Sequence, residues 1–582
     1  MSKKDWTTLL IGFQKGVRKV IEIGKCGPGA KRKRPLEEKV LVLWENLSQK
    51  VEIARRQIAA TSGMIFSFVE GAFVTALRNG EWILLDEVNL APPETLQRII
   101  GVLDGESGSL CLAENGVVVD RHPNFRMFAC MNPATDFGKR DLPYMLRSRF
   151  TEYFVDDVLE DEDLALFVNQ FLGDNRTERD LVDKIVRFYK VAKKESEERL
   201  QDGANQKPQY SLRSLYRALE YIRKARNFGF RRALYDGFCM FFRTLLDDRS
   251  AELMNQNIVS YLLGGDKQLP TPVPLDRLLD IKERPGSEQF LRDYVMTKSV
   301  EEHIRTLARA AFIKRYPVLL QGPTSSGKTS LVQYLAAKTG HEFVRINNHE
   351  HTDLQEYLGS YITDTTGRLV FHEGVLVKAV RNGHWIVLDE LNLAPSDVLE
   401  ALNRLLDDNR ELFVPELCET VRAHPDFMLF ATQNPPTFYG GRKMLSRAFR
   451  NRFVEIHVDE IPDHELTEIL ERKCQIPRSY AKKMIEVMKE LQLRRQNSKV
   501  FAGKHGFITP RDLFRWANRF RKDGRSYEDL ARDGYFLLAE RLRNDNEKNI
   551  VQEVLEKHLR VRLKIDELYK QVLSLISESI HI

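Results

Sequence analysis

The octapeptide GPTSSGKT at Gly322–Thr329 carries the densest chemistry in the chain. Two glycines frame four residues and are followed by lysine and a hydroxyl, the pattern G-x-x-x-x-G-K-[ST]. Such a loop turns its backbone N–H groups inward around phosphate oxygens, and the helix behind it adds its positive end. On this reading Gly322, Pro323, Thr324, Ser325, Ser326, Gly327, Lys328, Thr329 and Ser330 cradle ATP. Lys328 meets the β and γ phosphates and Thr329 holds Mg2+. The apolar run Pro317–Leu320 precedes the loop and the helical run Ser330–Ala337 follows it, the strand–loop–helix setting that the motif requires. A Gly-rich turn that happens to spell the motif is the competing reading, and these flanks disfavour it.

Further along, the apolar run Trp385–Leu388 ends in Asp389 and Glu390. Beside a phosphate loop, such a pair delivers one carboxylate to magnesium, directly or through water, and a second that polarises the attacking water. Asp389 takes the first role, alongside Thr329, and Glu390 the second. Asn434 closes another strand, placed to orient the water or sense the γ phosphate, although Asn before Pro is also a common turn former. Arg450 and Arg452 in RNRF are candidates for a finger that stabilises transition-state charge, against the alternative of a solvated basic turn. Arg511 in TPRD opens a helix and reaches the nucleotide from above, or is an ordinary surface arginine.

These groups need a scaffold, and the chain carries it twice. RNGEWILLDEVNLAP at Arg78–Pro92 returns as RNGHWIVLDELNLAP at Arg381–Pro395, 303 residues later and with three differences in fifteen positions. The likeness runs from FVEGAFVTAL and FHEGVLVKAV, through HPNFRMFACMNP and HPDFMLFATQNP, to RSRF and RNRF. Short apolar runs read as buried parallel strands, Trp82–Leu85 and Arg126–Met131 in the first copy, Trp385–Leu388 and Met428–Thr432 in the second. Ser396–Leu406 has helical periodicity between them. Alternation of strand and helix predicts an α/β fold with a parallel sheet flanked by helices. Each core is followed by a charge-rich helical lid, and YSLRSLYRAL in the first lid echoes ITPRDLFRWA in the second. The predicted order is a partial core over 1–158, a lid over 159–268, a Pro-rich connector over 269–295, a complete core over 296–460 and a lid over 461–582.

Composition closes off other classes. A chain of 582 residues, 42% hydrophobic and 30% charged, is folded and multidomain. Its 89 Lys and Arg against 83 Asp and Glu leave a net charge of +6, no nucleic-acid footprint, so no sequence-specific nucleic-acid binding is expected. Six cysteines without CxxC spacing argue against a disulfide scaffold or zinc site. No apolar stretch is long enough to span a bilayer, so a soluble, non-secreted protein without a membrane partner is expected.

Taken together, Gly322–Thr329, Asp389 with Glu390, Asn434, Arg450 with Arg452, and Arg511 resemble the AAA+ ATPases, in which they would stand as Walker A, Walker B, sensor 1, arginine finger and sensor 2. The doubled LDEVNLAP and LDELNLAP, with Glu373–Gly374 after a hairpin at Tyr361–Phe371, is similar to the MoxR and dynein-related branch. That resemblance, to a giant nuclear member in particular, implies AAA+ modules neighbouring one another in a ring, an arginine supplied by the next module, and hydrolysis that releases assembly factors from pre-60S particles. It also implies a place in the nucleoplasm and nucleolus.

The first copy departs from the pattern. Asp86, Glu87, Asn132, Arg147, Arg149 and Arg213 hold matching places, yet no phosphate loop precedes them, and Lys25 in IGKCGPGAKRKRP stands where the lysine should be. Either the chain begins inside a module or that module is degenerate. Residues Pro35–Ala59 read as a helical insertion, and Lys31–Arg34 as a nuclear localisation signal or a solvated loop. Set against a weak ATP hydrolase are a nucleotide-insensitive scaffold, a MoxR-type chaperone or chelatase-like motor, and a helicase, the last lacking an aromatic-basic platform.

Overall fold

An apolar run becomes a parallel strand when neighbours cover both of its faces, and the second repeat meets that condition throughout. The computed structural model describes residues 12–17, 19–20, 40, 43–44, 47–48, 51, 70–105, 108–112, 116–132, 142–157, 160–172, 179–265, 268–363, 369–434, 445–497, 508–524 and 526–565. The chain divides after Tyr153 into two units.

In the first unit, helix α1 (Ala72–Asn79) leads into strand β1 (Trp82–Leu85), helix α2 (Pro93–Ile100), a hairpin of β2 (Ser109–Leu112) and β3 (Val117–Asp120), and β4 (Arg126–Ala129). Strands β1 and β4 pair in parallel, Trp82 opposite Arg126 and Leu85 opposite Ala129. The expectation that both are buried is corrected here. Trp82 is 72% exposed, and Leu84 and Phe128 share its open face, because among the described residues the pair has no third strand and nothing packed over that side. Within 35–59, Val40, Leu43, Trp44, Leu47, Ser48 and Val51 are helical, on the single face that their spacing gives. Lys25 and Lys31–Arg34 lie outside the described residues.

The second unit opens with helices between Asp161 and Asn257, among them α3 (Leu212–Ala225). Residues 269–295 follow, then α4 (Lys298–Ile313). Strand β5 (Val318–Gln321), helix α5 (Lys328–Thr339) and strand β6 (Phe343–Asn347) begin the core; the hairpin β7 (Gly359–Thr363) and β8 (Leu369–Glu373) interrupts it. The core continues with β9 (Trp385–Asp389), the hairpin β10 (Glu411–Val414) and β11 (Glu419–Arg422), β12 (Met428–Gln433) and β13 (Val454–His457). Five strands form one parallel sheet in the order β13-β5-β12-β9-β6, with Val454, Val318, Phe430, Val387 and Arg345 in a single row. Every residue of β5, β9 and β12 is buried. The counterpart of the open Trp82 is Trp385, 2% exposed.

One face of this sheet, with Val318, Leu320, Trp385 and Phe430, shares an apolar core with α4, α5 and the helices of 161–263. The helical segment after the first repeat is thus packed on the core that follows it. Arg217 of α3 donates to the carbonyls of Arg452 (2.8 Å) and Phe453 (3.0 Å) and lies 4.6 Å over the Tyr316 ring. Strand β13 extends the joint, His457 N donating to Thr244 O at 2.7 Å and Thr244 Oγ1 to Glu455 O at 2.8 Å. The Pro-rich connector also lies along the core, with Arg284 N donating to Ala337 O at 3.0 Å. After β13 come α6 (Asp463–Cys474), a helix at Arg478–Asn497, α7 (Pro510–Asp523) and helices at Tyr527–Leu538 and Asp545–Leu559, with their own apolar core. No helix among the described residues is long and apolar enough to cross a membrane.

Candidate nucleotide site

A parallel sheet brings the carboxyl ends of its strands to one edge, and the loops that leave this edge carry the polar residues. Gln321, Gln433 and His457 share one row and Asn347 faces Asp389, so the phosphate loop, Asn434 and Glu390 leave the sheet side by side. They line a cleft of about 1300 Å³ whose other walls come from α4, from the helices of the first lid and from Ile461, Lys473, Arg511 and Phe514 of the second.

The phosphate loop is shaped by backbone rather than side chains. Gly327, at φ +89°, turns the chain into α5, a conformation in which a Cβ is strained. At Gly322 the constraint is space, since a Cβ would stand 2.0 Å from Val458 O. Lys328 begins α5 and its Nζ donates to Gly322 O (2.8 Å), Pro323 O (2.6 Å) and Asn434 Oδ1 (2.9 Å). The hydroxyls of Ser325 and Ser326 are buried in the loop and meet no partner among the described residues. Buried donors without a partner beside a helix N-terminus fit phosphate oxygens.

The acidic side is equally connected. Thr329 Oγ1 lies 3.2 Å from both oxygens of Asp389, and that carboxylate also accepts from Thr432 Oγ1 and from the Arg345 guanidinium. Thr432 Oγ1 accepts from Glu390 N at 3.1 Å, and Asn348 Nδ2 donates to Asp389 O at 2.9 Å. Asn434 Nδ2 donates to Glu390 Oε1 at 3.1 Å, so one amide joins Lys328 to Glu390. Glu390 has φ +52°, a left-handed turn that a non-glycine residue holds at a cost, and Glu87 repeats it at +49°. A hydroxyl and a carboxylate oxygen at one point are a donor set that suits Mg2+ with the rest of its shell from water and phosphate. Among the described residues no cluster of three or more His, Cys, Asp or Glu forms another metal site.

The structure brings Thr324–Ser330, Asp389, Glu390, Asn434 and Arg511 to this cleft, Arg511 exposed on the lid side, while Gly322 and Pro323 meet it through their carbonyls on Lys328 Nζ. It does not bring Arg450 or Arg452. Arg450 is held by Asp202 (2.8 Å) and Glu455 (2.6 Å), which keep its guanidinium protonated against burial, and Arg452 by Asp407 (2.8 Å). The first unit repeats the pattern, Arg147 with Glu152 and Arg149 with Asp104. Thr432, Arg345 and Asn348 were missed in the sequence, being uncharged or on a strand whose exit was not read. The repeat itself carried a clue: Cys130 stands where the second copy has Thr432, so the hydroxyl that Thr432 gives Asp389 has no equivalent at that position beside Asp86.

Residues 45–150 and 317–453 match the model of the AAA domain of the dynein-related subfamily. Both repeats thus belong to the dynein-related AAA domains. Residues 163–265 and 465–562 match two models, each described as a midasin AAA lid domain. Midasin of Dictyostelium discoideum is 51% identical over 581 residues, 94% of this chain and 10% of that protein. Midasin of Giardia intestinalis is 39% identical over 539 residues, 85% of this chain and 11% of that protein. An uncharacterised protein of Staphylococcus haemolyticus is 34% identical over 180 residues, 30% of this chain and 68% of its own length. The chain belongs to the midasin-type AAA ATPases, and it spans about a tenth of the length of the midasins it matches.

Proposed function

We propose that this chain binds Mg·ATP at Gly322–Ser330 and hydrolyses it as a module of an AAA mechanoenzyme. The observation that supports the reading most is the bridge through Asn434, which ties the phosphate-binding Lys328 to the water-polarising Glu390. Lys328 and the loop amides bind the β and γ phosphates, Thr329 and Asp389 hold Mg2+, and Glu390 takes the proton of the attacking water. Mg2+, when bound, supplies charge neutralisation at the phosphates. Arg511 approaches from the lid. Arg450 or Arg452 serves as the finger of a neighbouring module only after leaving its present carboxylates.

By extension from the midasins, the work done is release of assembly factors from pre-60S particles in the nucleus. A nucleotide-insensitive scaffold has no use for Lys328, Asp389, Glu390 and Asn434 in one network, which disfavours that alternative. The test is steady-state ATP hydrolysis by the purified chain across a concentration series, with Glu390→Gln as control. Turnover per chain that rises with concentration and disappears in the control supports a site completed by a neighbour. Turnover in the control equal to that of the unaltered chain, or no ATP binding by either, would end the reading.

A further inference from the structure

Asp389 already has a cation. Its Oδ1 accepts from Thr432 and Thr329, and its Oδ2 accepts from Thr329 and from Nη2 of Arg345. The hydroxyls are neutral and tolerate a metal at the same carboxylate, but the guanidinium does not, because two cations on one nearly buried carboxylate repel each other in a weakly screened site. Arg345 is also free to leave. It lies on β6, the edge strand of the sheet, and its side chain is 43% exposed while that of Asp389 is 10% exposed. Both residues line the cleft that holds Lys328, Thr329 and Glu390.

We propose that Arg345 is the resident counter-cation of Asp389, competing with Mg2+ for that carboxylate, so that metal loading requires the guanidinium to swing away into the cleft. This rests on the nucleotide reading of the site and adds a positioning residue that sets its metal dependence. While Arg345 holds Asp389, the carboxylate stays oriented toward Thr329 and Thr432 and does not remain as a buried unpaired charge. When the guanidinium swings out, the anions it meets are Glu390 and the phosphates themselves, so its release adds positive charge where phosphate charge must be balanced.

The test is binding of a fluorescent ADP, N-methylanthraniloyl-ADP, to the full chain while Mg2+ is titrated. Arg345→Gln keeps length and polarity without charge, and Arg345→Lys keeps the charge. In Arg345→Gln the Mg2+ concentration for half-maximal enhancement of binding should fall about three- to tenfold, the range for losing one half-exposed charged pair. Arg345→Lys should stay within about twofold of the unaltered chain on the same grounds. A midpoint in Arg345→Gln that is unchanged or moves to higher Mg2+, or a shift of equal size in Arg345→Lys, would overturn the proposal. Failure of the unaltered chain to bind the nucleotide at all would instead overturn the site reading and this inference with it. Circular-dichroism melts of each variant separate these outcomes from loss of fold.

Discussion

Asn434 accepts from Lys328 through Oδ1 and donates to Glu390 through Nδ2, which makes one side chain responsible for the relative position of two reacting groups. Asn434→Ala should leave nucleotide binding within about threefold and lower turnover by about 10²-fold, as misplaced acid–base groups do. Lys328→Ala, by contrast, should weaken nucleotide affinity by about 10²-fold through loss of charge-assisted contacts, measurable by the same fluorescence titration. The arginines Arg450 and Arg452 make a different prediction. Removing the Arg450 guanidinium leaves Asp202 and Glu455 without their cation in a mostly buried site. Arg450→Ala should therefore cost about 3–5 kcal/mol in denaturant unfolding. A variant that unfolds like the unaltered chain but loses concentration-dependent turnover would return Arg450 to a finger role.

At the scale of elements, the second lid is tied to the core by Glu465 of α6. Its carboxylate accepts from Thr297 Oγ1 (2.6 Å) and Ser299 N (3.1 Å) and so caps α4 from outside that helix. Burial pushes the Glu465 carboxyl up, but the hydrogen bonds from Ser299 and Thr297 outweigh this and hold it below its ordinary 4.5. A lowered carboxyl contributes stability that is complete above the ordinary value and is lost as pH falls through the lowered one. The lid contact should therefore weaken below about pH 4.5, read as faster proteolysis of the second lid. Glu465→Gln should remove that pH dependence and cost about 1–3 kcal/mol at neutral pH. The first lid has its own fastening at Gly203, where a Cβ would stand 1.9 Å from Nδ1 of His457. Gly203→Ala should force this lid off β13 and shorten its survival under limited proteolysis, while the sheet core stays resistant.

In the whole second unit, the phosphate loop and the first lid's helices belong to one packed body, joined through α4 and a shared face of the sheet. Those helices also bond directly to β13, the strand that leads to the second lid. The β1–β4 pair of the first unit leaves Trp82, Leu84 and Phe128 open, and its Asp86 accepts from Glu87 N where Asp389 has Thr329, Thr432 and Arg345. Nucleotide stoichiometry by equilibrium dialysis should be about one per chain, set by Lys328, and Lys328→Ala should bring it near zero. A second equivalent surviving that substitution would mean that the first module also binds.

Local order was legible because it depends on neighbours in sequence. The phosphate loop follows from its glycines and lysine, the strand Trp385–Asp389 from an unbroken apolar run, and the helix Ser396–Leu406 from a period of 3.6. The doubling of the core was visible for the same reason, since equal strings fold into equal turns, down to the left-handed Glu87 and Glu390. Partnership between distant residues was not legible. Nothing in the sequence set Arg345 apart until β6 was set beside β9, and Arg450 stood as a finger candidate or part of a solvated basic turn until the helices after the first repeat placed Asp202 against it. Charge and hydrogen-bonding capacity are written into each residue, but whether they face a nucleotide, a carboxylate or water is decided only when segments tens to hundreds of positions apart are packed together.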